Sequence, residues 1–294
     1  MVTSKRASEK KAVQTVVSNM SASEQRRHEE LSARGASTWI TTLPLQEHGF
    51  VLNKQEWWDA MAMRYGFELE GVPPTCGCGK TNSIEHSLSC ARGGFVYMRH
   101  NQLRDLTANL LHEAGCKDVV VEPRLLPLTG EVLALKSANN ANDARLDVSA
   151  RSVWSPGDKT FLDFRVFNSL APSNSTLPLD RALLRHEDEK KRVYNERVLE
   201  VEKSTFSPIV CSTTGIFGNE AQKFYRQVAV LLSNRSGQSY PDTIRYIRQR
   251  LSFCILKTTV ASLRGFKGTK VTRFISDRND INLLYIINNL TNSF

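Results

Sequence analysis

The sequence predicts a mixed α/β protein of the α+β kind. Its core order is α-β-β-β-α-β, with a small Cys/His knuckle ahead of the core and helices appended behind it. Three observations lead there. Short runs rich in β-branched and aromatic residues, at 119–121, 144–150, 160–167 and 209–211, are interleaved with longer stretches of helical periodicity. Two of those runs are joined by a linker holding Trp154-Ser155-Pro156-Gly157-Asp158, the composition of a hairpin connection. Three cysteines and a histidine fall between residues 76 and 90, a spacing that suits a metal.

Bulk composition narrows the function classes. The chain has 294 residues, 40% hydrophobic and 23% charged, enough for one or two domains with a sizeable core. No apolar run approaches the roughly 18 residues of a membrane span. The polar N-terminus has no apolar h-region, so no secretory signal is read and an intracellular protein is expected. Six cysteines in this length do not make a disulfide scaffold, and their clustering suits a reducing compartment. The net charge of +9 suits a polyanionic partner.

Along the chain, residues 1–34 form a polar arm, either a helix with little apolar face or a flexible lead. Residues 35–94 hold a helix, on which Trp57, Met61, Arg64 and Tyr65 recur at helical spacing and predict a core-facing stripe, and then the knuckle. From 95 to 264 runs the main domain. Val96, Leu103, Leu106, Leu110 and Leu111 predict a helix from Phe95 that stops at Gly115. A strand at 119–121 ends at Pro123, and the hairpin follows. A Pro/Ser/Asn loop at 171–175 leads into a long helix over about 181–203. A strand at 209–211 and helices near 220–232 and 243–263 complete the domain. The tail, 265–294, begins basic and ends Asn-rich.

The chemistry concentrates in three places. Asp147 and Asp163 each sit in an apolar, strand-like run. A lone acid there is costly to bury unpaired. Two on paired strands can share a hard divalent cation, the minimal equipment for metal-assisted phosphodiester cleavage. The alternative is that each faces solvent from a half-exposed strand. In the long helix Leu183, Glu187, Lys190, Tyr194, Val198 and Val201 form one stripe, which carries Glu187 and Lys190 inward and leaves Lys191 and Arg192 on the flank. An inward lysine needs an anion, and the two aspartates would supply it; otherwise it snorkels to the rim. The third place is Cys76-Gly77-Cys78, His86 and Cys90, four ligands suited to a tetrahedral Zn²⁺, with Gly77 and Gly79 easing the turn and His86 and Cys90 one helical turn apart. Such a knuckle serves as a fold staple or a nucleic-acid contact, since protein fills all four positions. Arg99-His100-Asn101 opens the helix at 95–114 and is placed either beside DNA phosphate and the metal site or in solvent. No glycine-rich phosphate loop and no Ser-His-Asp or Cys-His arrangement is present. His48, His112 and His186 have no partners at ligand spacing.

Taken in order, Cys76-x-Cys78, His86, Cys90, Arg99-His100-Asn101, Leu146-Asp147, Asp163 and Lys190-x₃-Tyr194 resemble the C-terminal end of the polyprotein of non-LTR retrotransposons that carry a restriction-like endonuclease. The resemblance covers roughly residues 35–265. It implies a restriction-endonuclease-like core of the PD-(D/E)xK type behind a zinc knuckle, and a nuclease that nicks target DNA for integration. By that resemblance Asp147, Asp163 and Lys190 are catalytic, Asp147 and Asp163 hold Mg²⁺, and Cys76, Cys78, His86 and Cys90 hold a structural Zn²⁺. Arg99, His100 and Asn101 are expected to contact nucleic acid. The implied partners are DNA and the element's RNA, the implied location is the nucleus, and no membrane is involved. Leu146 stands where the motif's proline would be, and Arg165 where its third-strand lysine would be. No Tyr-x-Asp-Asp occurs, which leaves open a fragment, a decayed copy, or a separately expressed remnant whose reverse-transcriptase partner is supplied separately. The competing readings are a non-catalytic zinc-dependent nucleic-acid-binding module and an inactive retroelement remnant.

Overall fold

A computed structural model describes residues 2–265, with side chains from residue 7 onward. The predicted tail lies outside the described residues beyond Gly265. The chain opens with α1 (Val2–Ser18) and α2 (Ala22–Ser32), parted at Ser21. Ser21 caps α2 reciprocally: its hydroxyl accepts from the Glu24 amide, and its own amide donates to the Glu24 carboxylate at 2.8 Å. The arm is helical and its second helix is docked. Arg26 is 4% exposed and donates to the Leu177 carbonyl at 2.9 Å, while Glu29 accepts from the Leu179 amide at 2.9 Å. Apolar periodicity could not find this contact, because polar side chains make it.

Helix α3 (Lys54–Tyr65) has an Asn53/Glu56 capping box and ends at Gly66, whose φ of +77° suits glycine. Its core-facing residues are Asp59, Ala60, Ala62 and Met63. The expected stripe is therefore corrected: Trp57 is 41% and Tyr65 49% exposed. The reason is Asp59, which takes both Arg264 nitrogens at 2.5 and 2.7 Å and turns its own side of the helix inward.

After α4 (Ile84–Ser89) comes the main domain: α5 (Phe95–Glu113), β1 (Lys117–Val121), β2 (Val148–Arg151), β3 (Lys159–Phe167), α6 (Pro172–Ser175), α7 (Leu179–Glu200), β4 (Thr205–Ser212), α8 (Asn219–Ser236) and α9 (Tyr240–Arg264). The sheet order is β1-β2-β3-β4. The first three strands run antiparallel, and β4 lies parallel to β3 from Thr160↔Thr205 to Phe167↔Ser212. Parallel neighbours need a crossover, and α7 supplies it. The predicted order of elements is thus present, on a four-stranded mixed sheet. The hairpin differs at one end, since β2 starts at Val148 and Asp147 precedes it. Residues 122–147 cross as a long loop, and Arg145 meets only Arg124 in an isolated bridge. Asp147 is nonetheless pinned, its amide donating to Leu162 at 3.1 Å and its carbonyl accepting from Glu122 at 2.9 Å. At the outer edge β1 is kinked: the register shifts between Lys117 and Val120, and Asp118 takes a φ of +48°.

Strand alternation assigns the two sheet faces. Val148, Ala150, Leu162, Phe164, Ile209 and Cys211 join residues of α5, α8 and α9 in the largest apolar cluster. The opposite face of β3 meets α7. Phe161 packs with Leu146 and Val198 at one end, and Phe167 with Leu179, Ala182 and Leu183 at the other. Between these two apolar ends, β3 presents Asp163 and Arg165. The loop 122–147 is strapped to the far half of α7 by Arg197, which is fully buried and donates to the carbonyls of Asn139, Ala141 and Leu126 at 2.8, 2.7 and 2.8 Å. The segment 35–94 is not separate from the main domain: Trp39, Phe50, Ala60, Met63, Ile84 and Leu88 share a cluster with Phe253, Leu256, Val260 and Leu263 of α9. No helix among the described residues is long and apolar enough to cross a membrane.

Candidate active site and metal centre

The polar gap under α7 gathers side chains from four elements. Asp163 is buried, and the Lys190 ammonium stands 2.5 Å from its Oδ2. That contact is an ion pair by distance but not an aligned hydrogen bond, for Oδ2 has no well-directed donor. Asp147 approaches from the start of β2 and interacts with Asp163 side chain to side chain. Its Oδ1 lies 3.0 Å from His100 Nε2 on α5, and its Oδ2 accepts from the Phe164 amide at 2.6 Å. The two carboxyls titrate apart. Burial pushes Asp163 up to about 7; the Asp147 charge adds to the rise and Lys190 opposes it. Burial also works against ionisation of Asp147, but His100 and the Phe164 amide outweigh it and hold that carboxyl below the ordinary range. One proton kept by an acid pair beside a lysine is an arrangement that a divalent cation can take over, since hard cations prefer carboxylate oxygen.

The flanks of the gap are also polar. Tyr194, one turn beyond Lys190, has its hydroxyl pKa raised by burial and by the charges of Asp163 and Asp147. Glu187 is buried and turns to the start of α8, where it accepts from the Glu220 amide at 2.9 Å. Lys191 lies outside and pairs with Glu220 at 3.0 Å. Arg165 pairs with Glu189 and meets His186 Nδ1 at 2.9 Å, and His186 Nε2 lies 3.2 Å from Asn174 Oδ1. His186 and Asn174 carried no clear sequence signal: His186 meets Arg165 of β3, Asn174 of α6 and, at 3.6 Å, Glu189 of its own helix, and a lone i,i+3 His–Glu spacing is common on helix surfaces.

In the knuckle a short hairpin presents the first two cysteines. Thr75 bridges Thr81, and the Cys76 amide donates to the Lys80 carbonyl at 2.8 Å. Of the two glycines, Gly79 takes the left-handed φ, +88°. Ser83 caps α4, which carries His86 and delivers Cys90 at its end. The four ligand atoms lie within 4.8 Å of one another; Cys76 and Cys90 sulfurs are 3.8 Å apart, and Cys78 Sγ is 3.2 Å from His86 Nε2. Zn–S bonds of about 2.3 Å put tetrahedral sulfurs about 3.8 Å apart, so the donor set fits zinc. The Lys80 backbone amide holds the Cys78 thiol below its usual range, whereas burial raises that of Cys90.

Arg99, His100 and Asn101 part company. Arg99 is 1% exposed and donates to the Leu88 carbonyl at 2.8 Å, so the expectation that it touches nucleic acid is corrected. The arginine reaches from the second turn of α5 to the end of α4. His100 faces Asp147, and Asn101 is exposed. The fold and its centres define a mixed α/β protein with a Cys₃His cluster able to hold a metal and, apart from it, a carboxylate–lysine centre. No family model matches the chain, and no curated protein is similar enough to count as a relative.

Proposed function

We propose that the protein is a divalent-metal-dependent DNA endonuclease with a restriction-endonuclease-like core, derived from the C-terminal region of a non-LTR retrotransposon polyprotein, and that it nicks target DNA for integration. One observation carries this reading: Asp147, Asp163 and Lys190 meet in a polar stretch beside the β3–α7 contact, between the Phe161 and Phe167 clusters. A buried acid pair there costs stability, and cation binding accounts for its presence. Asp147 and Asp163 would hold Mg²⁺, which when bound neutralises charge on a phosphate and lowers the pKa of water. Lys190 would sit against the charge that develops on the phosphate. His100 fixes the rotamer of Asp147, and the Phe164 amide fixes its second oxygen. The Cys₃His cluster would hold Zn²⁺ as a structural ion. The +9 charge suits DNA as partner. The same reading carries a nuclear location.

The deciding experiment is nicking of supercoiled plasmid with Mg²⁺ and with EDTA. Nicking in Mg²⁺ alone, lost in Asp147→Ala, supports the nuclease. Tight DNA binding without cutting in either Mg²⁺ or Mn²⁺ replaces it with the non-catalytic binding module.

A further inference from the structure

We infer that the Cys₃His knuckle is a strut for the catalytic pair, with Arg99 and Asn168 as the positioning residues that carry its fold to Asp147 and Asp163. The inference rests on the nuclease reading for its activity arm. It begins with α4, which has six residues. A helix so short does not stand alone in water, where about 12–15 residues are marginal. Ile84 and Leu88 seat it on α9, and the ligands His86, within it, and Cys90, directly after it, face the cysteine hairpin. The apolar seat sets which side of α4 faces inward. Its position along β3 and α5 is set by three polar contacts.

Two of the three come from Asn168, the residue directly after β3. Its Nδ2 donates to the Glu85 carbonyl at 3.0 Å and to Ser89 Oγ at 2.9 Å. Asn168 is buried, and its own carbonyl accepts from Asn174 at 2.9 Å, so it cannot swing to follow a displaced helix. Asp163 lies five residues back on the same strand. The third contact is Arg99 to the Leu88 carbonyl at 2.8 Å, and the next residue, His100, is 3.0 Å from Asp147. Thus α4 holds the end of the strand that carries one carboxylate and the helix turn that orients the other.

Arg99 is the more telling of the two. Its Nε and Nη1 have no partner, and no carboxylate pairs with it among the described residues. Burial lowers its pKa to about 10. Burying a cation on one carbonyl costs stability rather than adding it. What the residue supplies is the location of α4 against α5.

The test uses the full chain. Arg99→Met keeps the length and deletes the donor, Arg99→Lys keeps a donor, and Asn168→Asp keeps the shape and removes the amide hydrogens. Arg99→Met and Asn168→Asp should keep one equivalent of zinc and DNA affinity within about twofold, and lose about tenfold or more in single-turnover cleavage. Arg99→Lys should recover most of that loss, which a space-filling role would not require. A second arm needs no activity: in the wild-type chain, stripping zinc should speed amide exchange around Arg99 and His100 of α5 and along β3. Wild-type cutting rates in both donor-deleting variants would overturn the inference, as would unchanged exchange after zinc removal. If the wild-type chain cuts nothing, the nuclease reading fails and the exchange arm alone decides the strut.

Discussion

Two neighbouring aspartates that titrate in opposite directions set the residue-scale expectations. Asp163 stays protonated to about 7 and Asp147 ionises early. A raised carboxyl pKa means that below it a proton competes with the cation for the same oxygens. Nicking at subsaturating Mg²⁺ should therefore fall about tenfold per pH unit below about 7 and level off above. Saturating Mg²⁺ should shift that limb to lower pH; a flat profile at low Mg²⁺ would count against the assignment. Asp147→Ala or Asp163→Ala should abolish nicking and leave DNA binding nearly unchanged, because binding relies on basic groups elsewhere. Lys190→Ala should cost about 10²-fold in cleavage and Lys191→Ala far less, since Lys191 pairs outward with Glu220. The reverse ranking would show that Lys190 is not the group facing the phosphate. These residues were legible because a charge inside an apolar period stands out. Arg99 is inward where a nucleic-acid contact is expected, because near the start of a helix a solvated arginine and a buried one have the same sequence context. His186 left little trace, since Arg165 and Asn174 come from other elements and Glu189 alone, three residues on, is an ordinary helix pair.

At the scale of elements, the knuckle and the strapped loop carry the sharpest expectations. Protein purified without chelator should contain about one equivalent of zinc, and replacing Cys76 or His86 should remove it; elemental analysis below half an equivalent would argue against the site. Zinc removal should lower the melting temperature, because metal binding to the folded ligand set is folding free energy. Arg197→Ala should destabilise by about 3 kcal/mol, because three buried carbonyls lose one charged donor; urea unfolding measures this. Element type and order could be read from periodicity, since helices and strands bury apolar faces with different periods. The start of β2 could not, because Ala144 and Leu146 pack in the Phe161 cluster from a loop and mimic a strand. The inward face of α3 was missed for a related reason: an Asp–Arg pair, not an apolar stripe, selects it.

For the whole molecule the excess of basic groups predicts DNA binding that weakens steeply with salt, each phosphate contact adding about 0.9 to the slope of log K against log salt. A flat response would show that the charge is not the footprint. The layering of the fold followed from the order of its elements, whereas the joining of the knuckle segment to α9 required contacts between residues some 200 positions apart, such as Asp59 with Arg264. The kinked edge of the sheet has a consequence of its own. β1 exposes Val120 and Val121 beside an open row of backbone groups, the kind of surface on which a second chain can add a strand. With only five residues, a charged first pair and Asp118 turned left-handed, that row is too short and too bent to template a flat partner. Copies crowded side by side are thus kept from joining their sheets through this edge.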